Sequence, residues 1–181
     1  LLEQQALTER PRKIVGGATA YPGVWDWKRL REIADKGEAA NRADGVQDAE
    51  CILHADIAHI ATQVSVGDQP SPFGYADIIT LTNQKTQGPR AGLMFVRKKV
   101  YPGINRRHGL AGNAVKTTTL AQLALQATNP GIQEEPFWRV LAAKAAQAHW
   151  MQTDAYRTYA KRIGPLMRAF VDEGRRLALV A

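Results

Sequence analysis

Apolar residues follow two rhythms along this chain. Up to about residue 99 they come in short runs closed by glycine or polar stretches, and beyond about residue 115 they recur at intervals of three and four. Lys13-Ile-Val-Gly-Gly17 reads as a short buried strand that stops at its glycines. Trp25 to Lys36 reads as a helix, because Trp27, Leu30 and Ile33 share a face and Asp26 stands near the start. Residues 37–50 (GEAANRADGVQDAE) are small and polar, and read as a loop or an extended helix end. Cys51–Ile57, Asp77–Leu81 and Ala91–Val96 read as three further strands, the last one following a Gly88-Pro89 turn. In the second half, Phe137, Leu141, Ala145 and Ala148 predict one helical face, and Tyr156, Tyr159, Ile163, Met167, Phe170 and Val171 predict another. Pro165 lies inside that second stripe, lacks an amide donor, and is expected to kink or split the helix. Strands separated by helices or long crossovers predict a largely parallel α/β sheet followed by helices.

Composition narrows the class. The 181 residues are 45% hydrophobic and 23% charged, which is room for one domain with a core and excludes global disorder. No apolar run approaches the roughly 18–20 residues of a membrane-spanning helix. With Cys51 as the single cysteine, a disulfide-stapled scaffold is excluded. The sequence begins at Leu1 rather than methionine, so a processed, trimmed or fragmentary chain is expected. A basic protein with its transit peptide removed fits a mitochondrial location, with the cytoplasm as the alternative.

Charge is unevenly placed. Residues 1–60 carry 8 Lys/Arg against 10 Asp/Glu, residues 61–110 carry 7 against 2, and residues 111–181 carry 9 against 5, giving +7 in all. The surplus gathers in Arg97-Lys98-Lys99, Arg106-Arg107 and Arg175-Arg176. Such clusters attract phosphate backbones or acidic partners, or form a solvated face.

Few residues stand out as chemistry. Gly16-Gly17 follows a strand but is not a G-x-G-x-x-G fingerprint. His54, His59, His108 and His149 have no metal-ligand spacing to a cysteine or a carboxylate cluster, and there is no G-x-S-x-G elbow. Asp56 ends an otherwise apolar strand, and Lys85 follows the next one in Thr-Leu-Thr-Asn-Gln-Lys-Thr. At successive strand ends of a parallel sheet they share the edge where open α/β folds bind ligands. An aspartate for a pyridinium nitrogen and a lysine for a Schiff base are the minimal pyridoxal phosphate pair. The same two residues also fit a structural ion pair and a surface lysine.

Longer motifs carry a family resemblance. Ile14-Val-Gly-Gly-Ala-Thr-Ala-Tyr-Pro22, Trp27-Lys-Arg-Leu-Arg-Glu-Ile-Ala-Asp35, Ala55-Asp-Ile-Ala-His-Ile60 and Pro70-Ser-Pro-Phe-Gly-Tyr-Ala-Asp-Ile-Ile-Thr80 occur in order. They run into Lys85-Thr86 and Gly88-Pro-Arg-Ala-Gly-Leu93, then Pro130-Gly-Ile-Gln133 and the helix from Tyr156 to Leu177. This series resembles the middle of serine hydroxymethyltransferase, a fold-type I pyridoxal phosphate enzyme that interconverts serine and glycine with tetrahydrofolate. The resemblance implies a single partial large domain over residues 1–181. Residues 1–99 would be an α/β part with about four sheet strands and the remains of a cofactor site, and residues 100–181 a mainly helical part. It implies that Lys85 is the Schiff-base lysine, Asp56 the partner of the pyridine nitrogen, His59 the histidine beside the cofactor ring, and Thr19 the residue facing the cofactor in place of a serine.

The departures from the family pattern shape the functional expectation. Gln84 stands where the family has a phosphate-contacting histidine, and Leu81 and Asn83 break a run of threonines. Glu134-Glu135 replaces a Gly-Gly whose amides reach the cofactor phosphate across a dimer interface, placing two negative charges near a dianion. Phe137-Trp138-Arg139 stands where the family is histidine-rich, and about a dozen residues between Lys36 and Cys51 read as a surface insertion. Four strands of a seven-strand sheet would leave open edges that need cover. The expectation is therefore a catalytically inactive, serine hydroxymethyltransferase-like structural subunit of a larger mitochondrial assembly such as a ribosome or respiratory complex. Other protein chains would cover its edges and RNA would meet its basic half, without bound cofactor. The alternative is an active pyridoxal phosphate enzyme of one-carbon metabolism, or a fragment of one, with the cofactor held at Lys85.

Overall fold

In the computed structural model, which describes residues 1–177, the chain begins with helix α1 (Leu2–Glu9), strand β1 (Lys13–Gly16) and helix α2 (Trp27–Ala43). Strand β2 (Ile52–Asp56), the short helix α3 (Ala61–Ser65) and strand β3 (Ile78–Thr82) follow. A 3-10 turn (Gln84–Thr86) leads into strand β4 (Gly92–Val96). The rest is helical: α4 (Pro102–Arg107), α5 (Asn113–Thr117), α6 (Leu120–Thr128), α7 (Trp138–Trp150) and α8 (Asp154–Arg176). The last four residues of the expected 100–181 helical part lie outside the described residues.

The sheet has the order β1-β2-β3-β4. β1, β2 and β3 are parallel, with Ile14 beside Leu53 and Asp56 beside Thr80. β4 runs antiparallel to β3, with Leu81 beside Leu93, so the sheet is mixed rather than all parallel. The reason is the connection. Residues 83–91 are too few for the crossover of about a dozen or more residues that a parallel partner requires, whereas α2 and α3 supply such crossovers earlier in the chain.

Alternation along the strands divides the core. On one face, Ile14, Leu53, Ala55 and Ile79 pack with Trp27, Leu30, Ile33 and Ala34 of α2. On the other, Ile52 meets Tyr101, Ile104 and Leu120 from the segment leading through α4 to α6. β1 is an alternating edge strand rather than a buried run, for Val15 is exposed while Ile14 and Gly16 are buried. α2 starts at Trp27, two residues after the expected Trp25, where the Asp26 carboxylate caps it by accepting the Arg29 N–H at 2.8 Å. It ends seven residues later than Lys36, however, so the polar segment is a helical extension followed by a short loop. Asp48 and Glu50 of that loop are held by Arg106, Arg107 and the Gly103 amide, which packs the insertion against α4.

Two expectations about the helices need correction. The packed face of α7 is Ala143, Lys144, Gln147 and Trp150, whereas Phe137, Leu141, Ala145 and Ala148 are exposed. α8 buries Tyr156 and Ala160 but leaves Met167 and Phe170 in water, and Pro165 does not split it.

Candidate functional site

Three segments end at the same edge of the sheet. β1 stops at Gly16 beside Ala55, and β2 stops at Asp56 beside Thr80, so the loops after both strands leave together. Close packing holds them there. A Cβ on Gly17 would lie 2.8 Å from Asp56 Cβ and closer still to the Asp56 carbonyl oxygen, so only glycine lets the first loop cross the second. The Ile57 N–H donates to the Thr80 carbonyl at 2.9 Å, tying the start of the second loop to β3.

Each residue expected at the site lies on this edge. Asp56 is exposed, and its Oδ1 accepts the Ala58 N–H at 2.9 Å. Its carboxylate enters no ion pair among the described residues. Thr19 Oγ1 and His59 Nε2 are 3.3 Å apart, which joins the loop after β1 to the loop after β2. Lys85 sits on the 3-10 turn beyond β3, exposed, with no side-chain partner among the described residues. α3 packs against that turn, with the Thr62 hydroxyl donating to the Lys85 carbonyl at 3.5 Å. One short element thus spans the His59 loop and the Lys85 turn. The arrangement presents a carboxylate, an imidazole, a hydroxyl and an amine on one open edge, the hydroxyl and imidazole bonded to each other and one carboxylate oxygen held by the Ala58 N–H.

The positions that depart from the family pattern fall in two places. Gln84 is exposed on the Lys85 turn. Glu134 and Glu135 are exposed on the loop between α6 and α7, where the Asn129 side chain donates to the Glu134 carbonyl at 3.0 Å and Glu135 borders a groove of about 900 Å³ beside β4.

Residues to which the sequence assigned no role at the site do the supporting. Asn83 and Gln147 are buried beneath the Lys85 turn and bonded to each other at 2.7 Å. The Tyr156 hydroxyl of α8 meets Ser65 Oγ at 2.8 Å, and the Gln87 side chain donates to the Tyr159 hydroxyl at 2.6 Å. For the tyrosines the signal was present, since both lie on the helical stripe. For Gln147 it was absent, because a glutamine among alanines reads as a solvent position.

Comparison with known proteins agrees with this architecture. The family model described as serine hydroxymethyltransferase matches residues 1–178. A serine hydroxymethyltransferase of Dehalococcoides mccartyi is 36% identical over 179 residues, covering 98% of this chain and 35% of that protein. Those of Koribacter versatilis and Legionella pneumophila are 32% and 34% identical, covering 97% and 90% of this chain and 35% and 32% of theirs. The chain therefore spans about a third of the length of the curated relatives it matches. With its mixed α/β sheet and the order of its motifs, the chain belongs to the serine hydroxymethyltransferase family, as a partial domain of the fold-type I pyridoxal phosphate enzymes.

Proposed function

We propose that this chain supplies the ring-and-amine side of a pyridoxal phosphate site, and that the protein containing it transfers a hydroxymethyl group between serine and glycine. One observation carries the reading: Asp56, His59, Thr19 and Lys85 share one sheet edge, and neither Asp56 nor Lys85 is used up by a partner within the described residues. The donor set suits the cofactor. The Asp56 carboxylate keeps an acceptor oxygen for the protonated pyridine nitrogen, His59 offers a flat imidazole to the ring, and Lys85 offers the amine for attachment. When bound, the cofactor supplies an electron sink for charge developing at the amino acid's α-carbon. The protein's part is to hold the ring. The Ala58 N–H orients the carboxylate at 2.9 Å, and the Thr19 hydroxyl orients the imidazole. The test is titration of the protein with pyridoxal phosphate. A visible absorption band that Lys85→Ala abolishes and Asp56→Ala weakens is expected, and no band in the unaltered protein would end the reading.

A second reading rests on Gln84, Glu134 and Glu135. A neutral amide in place of histidine and two carboxylates in place of glycines disfavour a cofactor phosphate nearby. On this reading the protein is a non-catalytic member of a larger mitochondrial assembly. It gains support if the protein sediments only within a large particle and the titration gives no band.

A further inference from the structure

Gln147 lies toward the C-terminal end of α7, 6% exposed, and its side chain is spent on backbone and side-chain atoms of the turn that carries Lys85. Its Oε1 accepts from Asn83 Nδ2 at 2.7 Å. Its Nε2 donates to the Thr86 carbonyl and the Thr86 hydroxyl oxygen, both at 2.7 Å, and to the Asn83 carbonyl at 3.1 Å. Within the turn, the amides of Thr86 and Gly88 both donate to the Asn83 carbonyl at 2.9 Å, as does the Thr86 hydroxyl. A Cβ on Gly88 would overlap the Gln147 amide as it is placed, so the absence of a side chain there gives the amide its close approach to the turn. The residues two before and one after Lys85 are therefore fixed to a single side chain from another element, while Lys85 itself remains exposed.

Burying an amide is costly unless its hydrogen bonds are made, and here they are made to one short stretch of chain. Such a cross-link adds little apolar packing, but it locks position well. Lysine reaches a target through four flexible bonds, so the place its amine occupies is set by its Cα. A misplacement of about 1 Å can cost on the order of 100-fold in a positioned reaction. We infer that Gln147 is a positioning residue for Lys85: it anchors the 83–88 turn to α7 and so sets where the lysine amine is delivered. The inference rests on the cofactor reading of Lys85 given above.

The test compares the full protein with Gln147→Ala and with Gln147→Met, which keeps the volume and loses the hydrogen bonds. Two readouts are used: amide hydrogen exchange, and borohydride trapping of pyridoxal phosphate on lysines located by mass spectrometry. In both variants the Thr86 and Gly88 amides are expected to exchange about tenfold faster, the scale of one lost buried hydrogen-bond partner, while Leu53 and Ala55 in β2 are unchanged. Trapping at Lys85, measured against the exposed Lys28, is expected to fall by a similar factor. Turn exchange and trapping that match the unaltered protein in Gln147→Met would overturn the inference, as would exchange rising equally in β2 and the turn. If the unaltered protein labels Lys85 no more than Lys28, the cofactor reading fails. The exchange pattern then still decides whether Gln147 holds the turn.

Discussion

Asp77 stands one residue before β3, only 2% exposed, and gathers partners from four segments. Arg31 of α2 donates to Oδ2 at 2.7 Å and the Leu53 amide of β2 at 2.9 Å. The Tyr101 hydroxyl bonds Oδ1, and Arg97 lies 3.6 Å from it. Burial and this bond push the Tyr101 hydroxyl well above its ordinary pKa. Asp77→Ala is expected to cost about 3–5 kcal/mol, because it leaves the buried Tyr101 hydroxyl and the Leu53 amide without their acceptor and takes from Arg31 one of its two carboxylate partners, Asp35 being the other. Arg97→Ala, whose ion pair is long and a third exposed on the arginine side, is expected to cost under about 1 kcal/mol. Urea unfolding of the two variants separates these outcomes. His54 gives a pH dependence. Burial first, and Lys13 second, hold its imidazole below the ordinary value, and its Nε2 lies 2.9 Å from Thr80 Oγ1. The folded state thus favours the neutral ring, while the unfolded chain takes up a proton below about pH 6.5. Stability is expected to fall as pH drops through that value, and His54→Gln to flatten the fall, read as urea midpoints at about pH 7.5 and about pH 5. At this scale the placement of the candidate residues on one sheet edge was legible, but the residues that support them were not. Asp56 and Lys85 stand out because a charge at the end of an apolar strand breaks the pattern. The roles of Asp77 and Gln147 exist only through partners 20 to 64 residues away in sequence.

Among the elements, strands were easier to place than helices. β2, β3 and β4 start within one residue of where the apolar runs put them, since β-branched runs between turns have few other uses. The direction of β4 was also available, from the nine residues between Thr82 and Gly92, but only through chain geometry rather than pattern. α1 escaped notice because its one buried residue is Ala6, and a helix with a single small anchor shows no stripe. α7 misled because its alanines fit any face, and the large side chains of Phe137 and Leu141 pointed away from the face that packs. α8 carries the clearest strain. Pro165 removes the donor that would bond the Lys161 carbonyl and crowds the preceding turn, yet the helix continues to Arg176. Pro165 is exposed, so little packing opposes a change. Pro165→Ala is expected to stabilise α8 by up to about 3 kcal/mol. Stronger helical circular dichroism and slower amide exchange over residues 161–170 would show it. Unchanged exchange would mean that packing of the first half of α8, through Tyr156 and Ala160, already fixes the whole helix.

Across the whole molecule, the +7 charge is less available than its sum implies. Of the seven cations in the three basic clusters, Arg106 and Arg107 both face Asp48, at 3.4 and 3.8 Å. Arg97 donates to the Gly74 carbonyl and reaches toward Asp77, and Arg176 pairs with Glu173 at 2.6 Å. Lys98, Lys99 and Arg175 remain without a carboxylate partner among the described residues, and Lys99 lies over the Tyr101 ring. A chain that binds single-stranded RNA mainly through three such cations releases few counterions. A plot of log affinity against log salt is then expected to have a slope of about −2, at roughly 0.7 per neutralised phosphate. Asp48 is the lever on this quantity. It pairs with two arginines at once from the loop inserted after α2, so Asp48→Ala releases both from their carboxylate without adding a cation, while the carbonyls of residues 47 and 48 still accept from them. The variant is expected to bind RNA more tightly and to steepen the slope to about −3.5. Fluorescence anisotropy over a salt series measures both values. A slope steeper than about −5 in the unaltered protein would show that the arginines release their internal partners for phosphate, and that the basic half is a nucleic-acid surface after all. A shallow slope that Asp48→Ala does not change would place RNA contacts away from α4. The +7 would then act as a solvated face rather than a docking surface.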